Sequence, residues 1–211
     1  MIRRMKTVKS KTRKPIQNRS IETKEKIVQS AYKLVKRNGY LETGIRDIVE
    51  TAEVSIGTFY SYFRDKNDIA LEILRKYSEE FYGNLALETI AAIGKSAGLA
   101  EVVYQILNRM LIAAQKNPNL HREWIVLSLT DDKIAKAVKT IERERIQTEA
   151  ADIFNHFAGK IKFRSEPIAL MIAQRAMDDI ISYMVLQGFD LKNEIVLRET
   201  AKMIASYLRE N

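Results

Sequence analysis

The sequence contains no cysteine, which excludes disulfides, thiolate metal sites and cysteine nucleophiles together. Three prolines and eight glycines in 211 residues are too few breaks for a chain of many short strands. Long β-branched alternation is missing as well, so the expected fold is all-α, helices joined by short loops. Histidine occurs only at His121 and His156, with no H-x-x-x-H or carboxylate spacing around either. Both are expected on exposed helix faces, and no metal or cofactor is expected. The most apolar stretch, Ile168 to Gln187, carries Arg175, Asp178 and Asp179 in its middle. It reads as a buried helix and not as a membrane span. With no apolar leader either, the expected location is cytoplasmic.

Acid is absent from residues 1–19, which hold eight lysines and arginines, whereas the rest of the chain holds 27 side chains of each sign. A basic flexible arm on a neutral body suits contact with a polyanion such as nucleic acid. The plainer alternative is a solubilising tail.

What is present is helical periodicity. Apolar residues Ile27, Val28, Ala31, Leu34 and Val35 mark a first helix that ends at Asn38-Gly39. Thr43 is placed to cap a second, short helix with Ile45, Ile48, Val49 and Ala52 inward, and Ser55 caps a third. Asp65 and Asp68 start a fourth that the pattern carries to about Ile93. Further helices follow over 99–115, 120–129, 134–157, 167–186 and 195–208, about nine in all. Residues 20–65 then form a three-helix N-terminal unit and residues 66–211 a larger helical body.

The stretch "VSIGTFYSYF", residues 54–63, is the most informative. At 100° per residue, Ile56, Phe59, Tyr60 and Phe63 share one arc, and Gly57, Thr58, Ser61 and Tyr62 lie opposite. Phe59 and Phe63, four apart, read as core; the border tyrosines need partners for their hydroxyls. Gly57 costs roughly 1 kcal/mol in a helix interior relative to alanine, so it points to the close approach of another group. Helix, three-residue turn, helix is the arrangement that lays its second helix into a DNA major groove. This second helix has no lysine or arginine, so charge must come from Arg46, Arg64, Lys66 and the arm. Lys66, in a first helical turn, is unfavourable for the dipole and suits an external anion.

The run "KIVQSAYKLVKRNGYLETGIRDIVETAEVSIGTFYSYFRDKNDIALEIL" resembles the DNA-binding domain of the TetR family of transcriptional regulators. The resemblance implies that Thr43, Tyr60, Tyr62 and Lys66 hold phosphates, and that Arg46, Ser55, Ile56, Gly57 and Thr58 face the groove. Two positions depart from the family pattern. Ile56 stands where lysine, arginine or proline is frequent, and could contact only a thymine methyl or sugar carbons. Glu53 stands where the turn usually has glycine, at a cost of about 1 kcal/mol if φ is positive.

The resemblance further implies a homodimer through the last two helices and a small, largely apolar effector held in the helical body. Tyr104, Met110, Trp124, Met177 and Tyr183 are expected around that effector, although such residues in an apolar stripe are more often plain core. Arg175, Asp178 and Asp179 are spaced to satisfy one another along one helix; pairing across the dimer, or one charge orienting a ligand in an apolar cavity, are the alternatives. Gly94-Lys95-Ser96-Ala97-Gly98 has the letters of a nucleophile elbow but follows a helical run, so Gly94 as a C-cap and Ser96 as an N-cap explain it. It is no phosphate loop either, because Thr89 stands where the first glycine is required.

The expected function is a homodimeric, effector-released repressor on a palindromic DNA operator, not an enzyme. An enzyme or carrier using the helical cavity, and a non-specific DNA binder, are the alternatives.

Overall fold

A computed structural model describes residues 16–94, 96–164, 167–187 and 193–210, and its helices account for all regular structure there. The N-terminal unit comprises α1 (Ile16–Asn38), α2 (Ile45–Thr51) and α3 (Ile56–Tyr60). Behind it come α4 (Lys66–Tyr82), α5 (Leu85–Ile93), α6 (Leu99–Gln115), α7 (Pro118–Thr130), α8 (Asp132–Phe157), α9 (Pro167–Gln187) and α10 (Asn193–Leu208). The basic arm lies outside the described residues up to residue 15; from Ile16 the chain is already helical.

Ten helices are described where about nine were expected, because the long fourth helix is broken. It stops at Tyr82; a Cβ on Gly83 would sit 2.4 Å from the Glu79 carbonyl oxygen, so only glycine fits there. Asn84 then takes a left-handed φ of 47°, which asparagine tolerates better than most residues. The buried positions run on across the break through Phe81, Leu85 and Thr89, so periodicity alone does not reveal it. At the other end of α4, the Asp65 carboxylate accepts the Asp68 N–H at 2.8 Å, the cap the acid spacing implied. Gly94 does end α5, but α6 is capped by Gly98 and not by Ser96.

Two cores result. In the first, Ile27, Ala31 and Val35 of α1 close on Ile48, Phe59 and Ile69. Leu120 and Trp124 of α7 and Ile134 of α8 complete it, so the three N-terminal helices share their core with distant parts of the chain. The second core is built on α6, where Val102, Ile106, Leu107 and Met110 pack with Ile181 of α9 and Leu197, Ala201 and Ile204 of α10. Tyr77 of α4 packs against both.

Gly39, the expected stop of α1, has φ +92°, and a Cβ there would approach the Glu123 carboxylate to 2.5 Å. Gly39→Ala is therefore expected to destabilise the protein by at least about 1–2 kcal/mol, the cost of a left-handed L-residue. A shift of the urea midpoint at constant slope would show it.

Candidate nucleic-acid interface and the adjoining cavity

The α2–turn–α3 segment is fixed by short-range polar contacts. Gly44, not Thr43, is the N-cap of α2, and its N–H donates to the Asp47 carboxylate at 2.8 Å. Thr43 lies one residue too early: it is 1% exposed, and its hydroxyl donates to the Gly39 carbonyl at 2.7 Å. Its side chain thus holds the α1–α2 loop closed instead of facing solvent. In the turn, Glu53 adopts φ 50°, the left-handed geometry its usual glycine would serve. Lys26 Nζ reaches the Glu53 carboxylate at 2.9 Å and draws its pKa below the usual range. Ser55 caps α3: its Oγ accepts the Thr58 N–H at 3.0 Å and lies 2.8 Å from the Thr58 hydroxyl.

The periodicity of this segment holds for Phe59 and Phe63 but not for Ile56 and Tyr60, which share their arc and yet face solvent. Phe59 and Phe63 are buried with ring centroids 5.4 Å apart, whereas Ile56 is 48% and Tyr60 53% exposed. Ser55, Gly57 and Arg46 are exposed as well. A Cβ on Gly57 would meet only Ser55 Oγ, at 3.7 Å, and its φ is not positive. Nothing among the described residues therefore requires glycine at this position.

The remaining expected residues are held by the protein itself. Tyr62 is half-buried, with its hydroxyl 3.1 Å from Ser20 Oγ on α1. Arg64 pairs with Asp68 through two N–H···O contacts of 2.7 and 2.9 Å and holds that carboxyl down at about 2. Lys66 donates to the Leu41 carbonyl at 3.0 Å and lies 4.5 Å from the Tyr40 ring centroid. Burial lowers its pKa, and the carbonyl and π face offset a charge that its helix position disfavours. Arg46 has no side-chain partner among the described residues.

Sequence reasoning missed how the body grips this unit. The Glu123 carboxylate of α7 accepts the Tyr40 N–H at 2.5 Å, and Asn117 Nδ2 donates to the Lys36 carbonyl at 2.8 Å. Trp124 lies 5.7 Å from Tyr40 between ring centroids. The Tyr40 hydroxyl donates to Asn67 Oδ1 at 3.1 Å, and burial, with Asp131 and Asp65 nearby, pushes its pKa up to about 12. These hydrogen bonds join residues 27, 81 and 83 positions apart, so no local pattern in the sequence announces them.

Trp124 also forms part of the wall of a cavity of about 310 Å³ between α4, α7, α8 and α9. Of the residues expected around an effector it is the one that lines this space. Tyr104 instead lies 4.0 Å from the Arg198 guanidinium, Met110 and Met177 belong to the second core, and Tyr183 is exposed on α9. Apolar spacing does not show which neighbour such residues face, nor, for Tyr183, that the ring is exposed.

The cavity's polar wall corrects the reading of His121 as an exposed residue. It is 7% exposed, with Nδ1 2.5 Å from the Tyr77 hydroxyl and Nε2 3.2 Å from Ser182 Oγ. His156 is partly buried too, its ring edge-on to Phe157 at 4.7 Å. The Arg175, Asp178 and Asp179 set divides: Arg175 pairs with Asp179 at 2.9 Å and with Glu142 at 3.4 Å. Asp178, 8% exposed, accepts from Gln174 at 2.9 Å and Tyr82 at 3.2 Å.

Burial lowers the His121 pKa more than neighbouring Asp178 raises it. The unfolded chain then binds more protons than the folded one below the ordinary histidine range, around 6.5. Stability is thus full above about pH 6.5 and falls as pH drops toward the lowered folded value. Between pH 7 and 5, His121→Gln is expected to flatten this loss in thermal melts.

Among the described residues no group of three or more His, Asp or Glu is placed to hold a metal ion. No helix among them is long and apolar enough to cross a membrane.

Residues 27–73 match the family model for bacterial regulatory proteins of the TetR family. The chain is 22% identical over 179 residues to YuxN, an uncharacterised HTH-type transcriptional regulator of Bacillus subtilis; the match covers 82% of this chain and 58% of YuxN. It therefore spans less than two thirds of that relative. The fold matches a TetR-family regulator from Mesorhizobium loti with a TM-score of 0.69 at 16% identity, covering 91% of this chain and 99% of that one. It also matches the multidrug binding protein EbrR, solved with imidazole, with a TM-score of 0.65 at 16% identity, covering 90% and 92%. Two of these relatives are described as transcriptional regulators and one as a multidrug binding protein. The helix-turn-helix run thus matches the TetR family's model over residues 27–73, and the helical body shares the fold of a TetR-family regulator.

Proposed function

We propose that the protein is a DNA-binding transcriptional repressor that acts in the cytoplasm as a homodimer and is released from a palindromic operator by a small molecule. The observation that carries this reading is the surface of α3. Ile56, Gly57 and Tyr60 face solvent on a helix anchored from behind by Phe59, and nothing among the described residues requires the exposed glycine. A groove-facing helix needs that combination of rigid support and close approach.

Dimerisation is supported by apolar side chains that α9 and α10 leave uncovered in the single chain. Ile168, Ile172, Tyr183, Ile195 and Met203 are all more than two-fifths exposed, a density of large apolar residues that a partner copy would bury. The two copies would bring their α3 helices to successive major grooves. Effector control is supported by Trp124, which contributes at once to the cavity wall and to the N-terminal core. A ligand that moves its ring acts on Tyr40, and through Tyr40 on Lys66 and Asn67 at the start of α4. The effector then shifts the population away from the DNA-competent arrangement by its differential affinity for the two states.

Arg46, exposed on α2 and with no side-chain partner among the described residues, supplies phosphate affinity in this reading. Arg46→Ala is expected to weaken binding to all duplexes alike and to lower the slope of log K against log salt by about 1 per copy. Thr58→Val is expected instead to change which sequence is preferred. Equal affinity for selected and random duplex at every salt concentration would favour a non-specific binder and sink the operator reading.

A further inference from the structure

The cavity between α4, α7, α8 and α9 has an uneven charge balance. Its lining contains three carboxylates, Glu142, Asp178 and Asp179, and one guanidinium, Arg175. Asp178 is buried at 8% exposure on the wall of this cavity and accepts hydrogen bonds from the neutral Gln174 and Tyr82. The other ionisable group in the wall, His121, is kept neutral near pH 7 by burial. Around these acids stand the rings of Tyr77, Tyr82 and Trp124. Trp124 is 4% exposed, and its indole N–H has no hydrogen-bond partner among the described residues.

An anion entering this space would meet a net negative wall with reduced solvent screening, and a neutral apolar molecule would gain from the rings alone. A cation gains from both, because a positive charge is drawn to carboxylates and to the faces of aromatic rings. The space also continues outward. A larger cavity of about 700 Å³ shares Ser128, Leu129, Val138, Glu142 and Arg175 with the first and adds Leu170 and Met171. That outer part also carries Lys139 and Arg143, so a positive group is favoured in the inner chamber and an uncharged body in the outer one.

We infer that the cavity takes an amphipathic organic cation, its positive head in the inner chamber against Asp178 and its apolar body toward Leu170 and Met171. This assignment rests on the reading of the cavity as the effector site.

The test uses the full chain and three compounds of one shape: phenylbutyl-trimethylammonium, its uncharged tert-butyl analogue and phenylbutyl sulfonate. Trp124 is the sole tryptophan, so its fluorescence reports occupancy directly. The ammonium compound is expected to bind at least about tenfold more tightly than the neutral analogue, with the sulfonate weakest. Asp178→Asn should weaken the ammonium compound about tenfold and leave the neutral one unchanged. Glu142→Gln, at a more accessible position, gives the same comparison if the buried substitution does not fold. Equal or tighter binding of the neutral or anionic compound overturns the assignment, as does binding of none of the three. Ammonium binding that leaves DNA affinity unaltered would uphold the ligand class while overturning effector control.

Discussion

Gly57→Leu is expected to leave the fold intact and to reduce DNA affinity by at least about 100-fold, ~3 kcal/mol. Stability should not suffer, because the position is exposed and a Cβ meets nothing nearer than Ser55 Oγ at 3.7 Å. Leucine is the better helix former by up to about 1 kcal/mol, so the melting temperature should hold or rise. The affinity loss arises because the side chain occupies the space into which the DNA must come, on a helix that Phe59 prevents from retreating. Thermal melts and a binding titration on the same preparations separate the two effects. A stable variant with unchanged affinity would remove α3 from the interface.

Trp124→Ala should be among the most damaging single changes for stability, at about 3–5 kcal/mol. The ring is 4% exposed and sits 5.7 Å from Tyr40 and 6.4 Å from Tyr77 between centroids. Its removal opens a void where α7 meets the N-terminal core, next to the Glu123 contact that holds the Tyr40 backbone. Leu129→Ala is the matched control: that side chain is 81% exposed and lies on the same helix, so its loss should stay within about 0.5 kcal/mol. Denaturation followed by circular dichroism gives both values, since the alanine variant has no tryptophan to report on itself. A loss below about 1 kcal/mol for Trp124→Ala would mean that the body and the N-terminal unit are joined elsewhere. Any variant that still folds should bind ligand and DNA with weaker coupling between them.

How much of this was legible in the sequence depends on the range of the interaction concerned. Helix-period burial is local and was readable: Ile27 to Val35, Phe59 with Phe63, and the Asp65 cap all stand where spacing placed them. The positive φ of Glu53 was readable as well, because the resemblance marked a glycine position occupied by something else. The break at Gly83-Asn84 was not, since the buried face continues across it and only the close Glu79 carbonyl shows why glycine is needed. Thr43 misled for a related reason: a threonine before a helix suggests a cap, but its hydroxyl found the Gly39 carbonyl first.

The cavity was the least readable part. His121 and Trp124 are three apart on α7, a spacing that could have placed both on one face, yet histidine's usual exposure argued the other way. Tyr77, Asp178 and Ser182 reach His121 or its surroundings from α4 and α9. Such contacts are fixed by helix packing, which residue spacing along one chain does not encode.

The central claim is that this chain reads a DNA sequence through α3 as a pair of copies. Selection of binding sites from a randomised duplex pool by the full chain tests it most directly. The predicted result is an inverted repeat with half-sites about one helical turn apart, or a multiple of it, bound by the wild type and not by Gly57→Leu. Recovery of no shared motif, or of a motif that Gly57→Leu binds equally well, would contradict it.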